Sequence, residues 1–149
     1  MARRGCLLAA MVAMLSACTP QALRDTLLEA QARWKAALCL EDPLPYVALS
    51  MSQAPMTCDG MLSWGCHGQG WVSISTSVPV NHWLQTLTHE YGHELWSDGD
   101  PFREGPKHVP AGQGVMAEDS SSSTYFITLV DIALVCSRRT CACRRPEKP

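Results

Sequence analysis

A chain of 149 residues, 46% hydrophobic and 17% charged, is the length of one domain and too apolar for wholesale disorder. Its formal net charge of −2 provides no basic face to compete for phosphates, which excludes a dedicated nucleic-acid binder. Eight cysteines in so short a chain point to a disulfide framework in an oxidising compartment, or to metal.

The N-terminus reads as an export signal. Arg3-Arg4 gives a positive start, and Cys6 to Leu15 is an apolar run too short to span a bilayer. Small residues follow at Ser16-Ala17. Leu15-Ser16-Ala17-Cys18 resembles a bacterial lipobox, which implies a signal over residues 1–17 and lipidation of Cys18 as the new N-terminus. A plain signal peptide cut near Ala17 is the alternative. Either way the expected localisation is exported, anchored at the cell envelope through Cys18 or secreted. Residues 18–149 then form a single domain with a basic, exposed tail over 138–149. Loss of Cys6 with the signal and of Cys18 to lipid leaves Cys39, Cys58, Cys66, Cys136, Cys141 and Cys143. The even set suits disulfides, whose pairing the sequence leaves open. A cysteine-zinc cluster is the poorer fit, because Cys141-Ala142-Cys143 is too tight for the usual ligand spacing.

The first element of the mature chain is an amphipathic helix over 21–40. Leu23, Leu27, Ala30, Trp34, Ala37 and Leu38 recur at helical spacing, with Arg24, Asp25, Arg33 and Lys35 off that face. Pro43 and Pro45 end it. Tyr46 to Met51 reads as a short strand, and 54–70, rich in glycine and holding Cys58 and Cys66, as a disulfide-pinned loop. Trp71 to Ser75 alternates as a half-buried strand. A second helix follows from about Asn81 to Trp96, with Leu84, Leu87, Tyr91 and Leu95 as its stripe. Loop chemistry fills 97–114, and Thr128 with Asp131 three residues on predicts a capping box opening the last helix, to Cys136.

The second helix carries His89-Glu90-Tyr91-Gly92-His93. The i, i+4 spacing sets both imidazoles on one face, where both can reach one zinc. Glu90 then stands beside the fourth position, suited to take a proton from a water acidified by the metal as that water attacks a carbonyl. This is the HExxH arrangement of zinc metallopeptidases. His67 and His82 have no partner at ligand spacing and read as loop or surface histidines.

Beyond the motif, the chain resembles the metzincin peptidases, in particular the matrixin-like group, whose HExxHxxGxxH pattern precedes a methionine turn. Met116 lies eight residues beyond His108, the matrixin separation, and Val115-Met116-Ala117 looks like that turn. The stretch Phe126 to Val135 resembles the matrixin C-terminal helix, and Ala30 to Trp34 its first helix. The resemblance implies a small α+β zincin domain, disulfide-stapled: a short twisted sheet, an active-site helix and a C-terminal helix below the cleft. It implies His89, His93 and His108 on zinc, Glu90 as general base, and Met116 beneath the metal.

The chain departs from the pattern at Trp96 and Gly99, where the family has a glycine and the third ligand. His108 as ligand requires a longer loop, with Gly99 as a displaced turn. Asp98, Asp100 or Glu118 are the alternatives, Glu118 giving a gluzincin-like set. The resemblance also makes Trp71–Ser75 the edge strand that pairs with an extended peptide, and raises structural calcium at Asp98-Gly99-Asp100. Trp64, Trp71 and Trp83 read as core rather than cleft. The expectation is a monomeric zinc endopeptidase acting on peptide or protein substrates. Its rival is a non-catalytic, disulfide-rich envelope lipoprotein with a structural or vestigial zinc site.

Overall fold

Helical periodicity accounts for the helices, whereas Trp71–Ser75, read as half-buried, is buried at four consecutive positions. The computed structural model describes residues 20–41, 43–58, 60–98, 100, 105, 107–118 and 124–143. The expected signal, Cys18, Gly99 and the end of the tail from residue 144 lie outside the described residues. Among these, three α-helices and two short sheets give a small α+β fold stapled by three disulfides. Helix α1 spans Gln21–Leu38 and buries Leu23, Leu27, Ala30, Trp34 and Leu38, five of the six residues on the predicted stripe. Each of the three leucines contributes about 1.5–3 kcal/mol by leaving water. The indole of Trp34 crosses to the second helix and donates to the carbonyl of Thr88 at 2.8 Å.

The strands are β1 (Ala48–Ser52), β2 (Thr57–Cys58), β3 (Met61–Leu62), β4 (Gly65–Gly68) and β5 (Trp71–Ser75). β1 runs parallel to β5, β4 antiparallel to it, and β2 pairs with β3 as a separate hairpin. Two expectations are corrected here. The glycine-rich stretch 54–70 is not a plain loop but holds three strands, too short to display an alternating apolar pattern. Trp71–Ser75 is consequently not an edge but the centre of its sheet, bonded on both sides, and β1 and β4 are its two edges. Tyr46 lies before β1 and is exposed.

A turn of 3-10 helix, Val80–His82, leads into α2, Trp83–Ser97, whose buried face includes Leu87, Tyr91 and Leu95. Asp98 ends α2 in the left-handed conformation, φ 51°, a geometry that aspartate tolerates better than most residues. Helix α3, Leu129–Cys136, opens with the predicted capping box. Cys39 pairs with Cys143, Cys58 with Cys66 and Cys136 with Cys141. The start of the basic tail is therefore pinned rather than free, with Arg138 also standing over the Trp96 ring, 5.5 Å from its centroid.

Candidate metal centre

Helix α2 carries His89, Glu90 and His93; His89 and Glu90 line a cavity of about 600 Å³ whose far side includes Trp64 and Gly65, while His93 is buried behind them. His89 donates from Nδ1 to the carbonyl of Val115 at 2.8 Å, which leaves Nε2 with its lone pair. That atom faces Nε2 of His93 at 3.0 Å. Two nitrogens each about 2.0–2.1 Å from one tetrahedral zinc stand about 3.3–3.4 Å apart, so this pair is already close to ligand geometry.

His108 reaches the pair from a separate loop. Val109 donates its N–H to the carbonyl of Met116 at 3.1 Å and forms an isolated parallel bridge with Ala117, so the residue before it is held against the turn at Met116. The His108 ring lies 4.7 Å from that of His93, nearly perpendicular, and 5.4 Å from that of His89. One ligand atom from each of His89, His93 and His108 falls within 4.8 Å of the others.

The floor explains two features of the sequence. Met116 is fully buried, and its thioether lies where a Cβ at position 92 would be, with Trp34 on the other side. Glycine between the two histidines is thus required by close approach. The turn is in turn fixed by Asp131, whose Oδ2 accepts from Val115 N at 3.0 Å and Thr128 N at 2.7 Å, and whose Oδ1 accepts from Met116 N at 2.9 Å. The Asp131 side chain has no room for anything but glycine at position 114. The capping box of α3 and the floor of the site share this one carboxylate.

Burial, and then the neighbouring imidazoles of His89, His67 and His108, hold His93 well below the usual histidine range. Burial also lowers His108, with Glu118 and Glu90 opposing. Both are therefore neutral at pH 7, the form that ligates a metal. The Nδ1 of His93 is buried without a hydrogen-bond partner, unlike that of His89. Two ring nitrogens turned on each other, one of them on the buried, neutral His93, are chemically suited to a cation.

Glu90 is buried beside the cavity, and Gly65 on β4 approaches it so closely that a Cβ there would collide with its carboxylate. His67, one residue beyond Cys66 on β4, places Nδ1 3.3 Å from Glu90 Oε2 and stacks on His93 with centroids 4.4 Å apart. The reading of His67 as a loop or surface histidine is corrected: it is a wall of the site. The signal available was a two-residue connection, Gln69-Gly70, between runs that form a hairpin. His82 remains peripheral, packed between Trp64 and Tyr125. Trp64 and Trp83 pack against the core as read, Trp64 also lining the cavity, whereas Trp71 is exposed, contrary to its reading as core.

Among the described residues, neither Asp98 nor Asp100 joins a group of three donors that could hold a metal, and Glu118 does not either. Glu118 is exposed at the cavity rim. The calcium expectation at Asp98–Asp100 thus finds no donor cluster there. Comparison of the chain with protein families, with curated proteins and with solved structures finds no match.

Proposed function

We propose that this chain is an exported zinc-dependent endopeptidase of the metzincin type, with His89, His93 and His108 as the metal ligands. The observation that carries the reading is the convergence of three imidazoles from two separate segments with Glu90 beside them on the cavity side. When bound, zinc acidifies a water and polarises a carbonyl oxygen. Glu90 accepts the proton of the attacking water at its carboxylate and delivers it to the leaving amine. Its burial beside Gly65 and its bond to His67 hold that carboxylate in one orientation. Met116 and Gly92 keep the two helical histidines at fixed height above a dry floor.

An extended peptide would pair with β4, an edge strand, rather than with β5 as the sequence led us to expect. Met56, Leu62, Trp64 and Pro55 line the adjoining cavity and would receive an apolar side chain. Three disulfides fit an exported protein, and the lipidation of Cys18 stays part of the proposal. No helix among the described residues is long and apolar enough to cross a membrane.

The test is hydrolysis of a mixed peptide library by wild type and by Glu90→Ala, each loaded with one equivalent of zinc. Loss of the base lowers the rate by about 10²–10⁴ while zinc stays bound. Equal, absent hydrolysis in both would favour the rival reading of a structural zinc in a non-catalytic envelope lipoprotein.

A further inference from the structure

The donors around His93 fall into two overlapping sets. His89, His93 and His108 form one, and His67, Glu90 and His93 the other, each with its ligand atoms within 4.8 Å of one another. The second set is assembled by different elements, since His67 comes from β4 and its neighbours from α2. Its His67 Nδ1 and Glu90 Oε2 stand 3.3 Å apart. That is the separation of two ligands about 2.0–2.1 Å from one tetrahedral cation. The ring of His67 is held by stacking on His93, and Glu90 is held by the close approach of Gly65. Glu90 borders a cavity roomy enough for further ligands from solvent, and the partly exposed His67 ring stands beside it.

We propose that His67 and Glu90 form a second divalent-cation seat beside the histidine triad, and that filling it switches the site off. The inference rests on the peptidase reading for its effect on activity, not for binding. With His93 engaged in the triad, the second seat keeps two protein ligands, one an imidazole and one a carboxylate, a pair suited to zinc. Losing even an outer partner of a ligand costs about 10–100-fold in metal affinity, so a seat with one protein ligand fewer is weaker by at least that factor. A cation there occupies the carboxylate that the reaction needs as base. Zinc in excess of one equivalent therefore inhibits, and the imidazole of the pair favours zinc over magnesium.

The experiment is a zinc titration of the metal-stripped protein by equilibrium dialysis, with wild type, His67→Phe and His67→Asn. Phenylalanine keeps a ring against His93 without a ligand nitrogen. Asparagine keeps a donor toward Glu90 but is a poor zinc ligand. Wild type binds two zinc ions, the second at least roughly tenfold more weakly. Both variants bind one, the first zinc being retained, and hydrolysis by each is read against its own rate at one equivalent. Peptide hydrolysis by wild type falls as zinc is raised past one equivalent, and that of the variants does not fall. A single zinc in wild type, a second zinc retained in both variants, or loss of the first zinc with His67 would each overturn the proposal. Two zinc ions with no hydrolysis would refute the peptidase reading and leave the second seat standing. Absence of any zinc would refute both.

Discussion

Replacing Asp131 by asparagine changes one atom and tests whether the floor of the site depends on the capping box of α3. The carboxylate is fully buried and accepts three backbone N–H bonds, from Val115, Met116 and Thr128. Asparagine places its oxygen best at the Oδ2 position, where Val115 and Thr128 converge, and turns its NH₂ toward the N–H of Met116. One charge-assisted bond is lost and a buried donor is left facing a donor. Bonds to charged groups contribute about 1.5–3 kcal/mol each, and an unsatisfied buried donor costs about 1–3 kcal/mol. Relief from burying a charge offsets part of this, so Asp131→Asn costs about 2–3 kcal/mol. Because Val115 also accepts the bond from His89 and Met116 also pairs with Val109 beside His108, zinc affinity falls with stability. The assay is urea unfolding of the metal-free protein with disulfides intact, paired with zinc competition against a chelating dye. Stability within about 0.5 kcal/mol of wild type, the usual scatter of a neutral surface change, would refute the reasoning. So would an unchanged zinc affinity alongside the expected loss of stability.

Three further outcomes follow from the same geometry. Gly92→Ala gains about 1 kcal/mol of helix propensity but forces a methyl into Met116 and Trp34, an overpacking cost of about 1–3 kcal/mol, so the urea midpoint falls. Replacing Cys39 and Cys143 together by serine opens a link spanning 104 residues and lowers stability by about 4–5 kcal/mol in the chain-entropy account, read as a lower thermal midpoint under non-reducing conditions. The lowered His93 and His108 make the metal-free fold acid-sensitive: both are neutral in either state above about pH 6.5, and below it the unfolded chain takes up protons first. Stability therefore falls as pH drops from about 6.5 to 5, by up to about 1.4 kcal/mol per pH unit for His93 and less for the water-screened His108. Urea midpoints flat across that window would contradict this.

Much of the centre could be read from the chain because its parts are periodic or local. The histidines of α2 stand one helical turn apart, the stripe of α1 repeats at helical spacing, and Thr128 and Asp131 cap within one turn. His108 and Met116 needed a family resemblance, and the floor they share depends on a bridge between Val109 and Ala117 that no local pattern announces. The strands β2, β3 and β4 escaped because two to four residues, rich in glycine, show no alternation. Missing β4 had two consequences: β5 was taken for an edge, and His67 for a bystander. Cysteine pairing was equally out of reach. Cys141 and Cys143 look alike in sequence, yet one closes onto α3 and the other onto the end of α1.

The central claim is that His89, His93 and His108 hold one zinc with a fourth position open. X-ray absorption at the zinc edge, on protein carrying one equivalent of the metal, tests it most directly. The account predicts three imidazole nitrogens and one non-histidine oxygen at about 2.0–2.1 Å, falling to two imidazoles in His108→Ala. A shell of four protein ligands, a sulfur neighbour, or a spectrum unchanged by His108→Ala would contradict it.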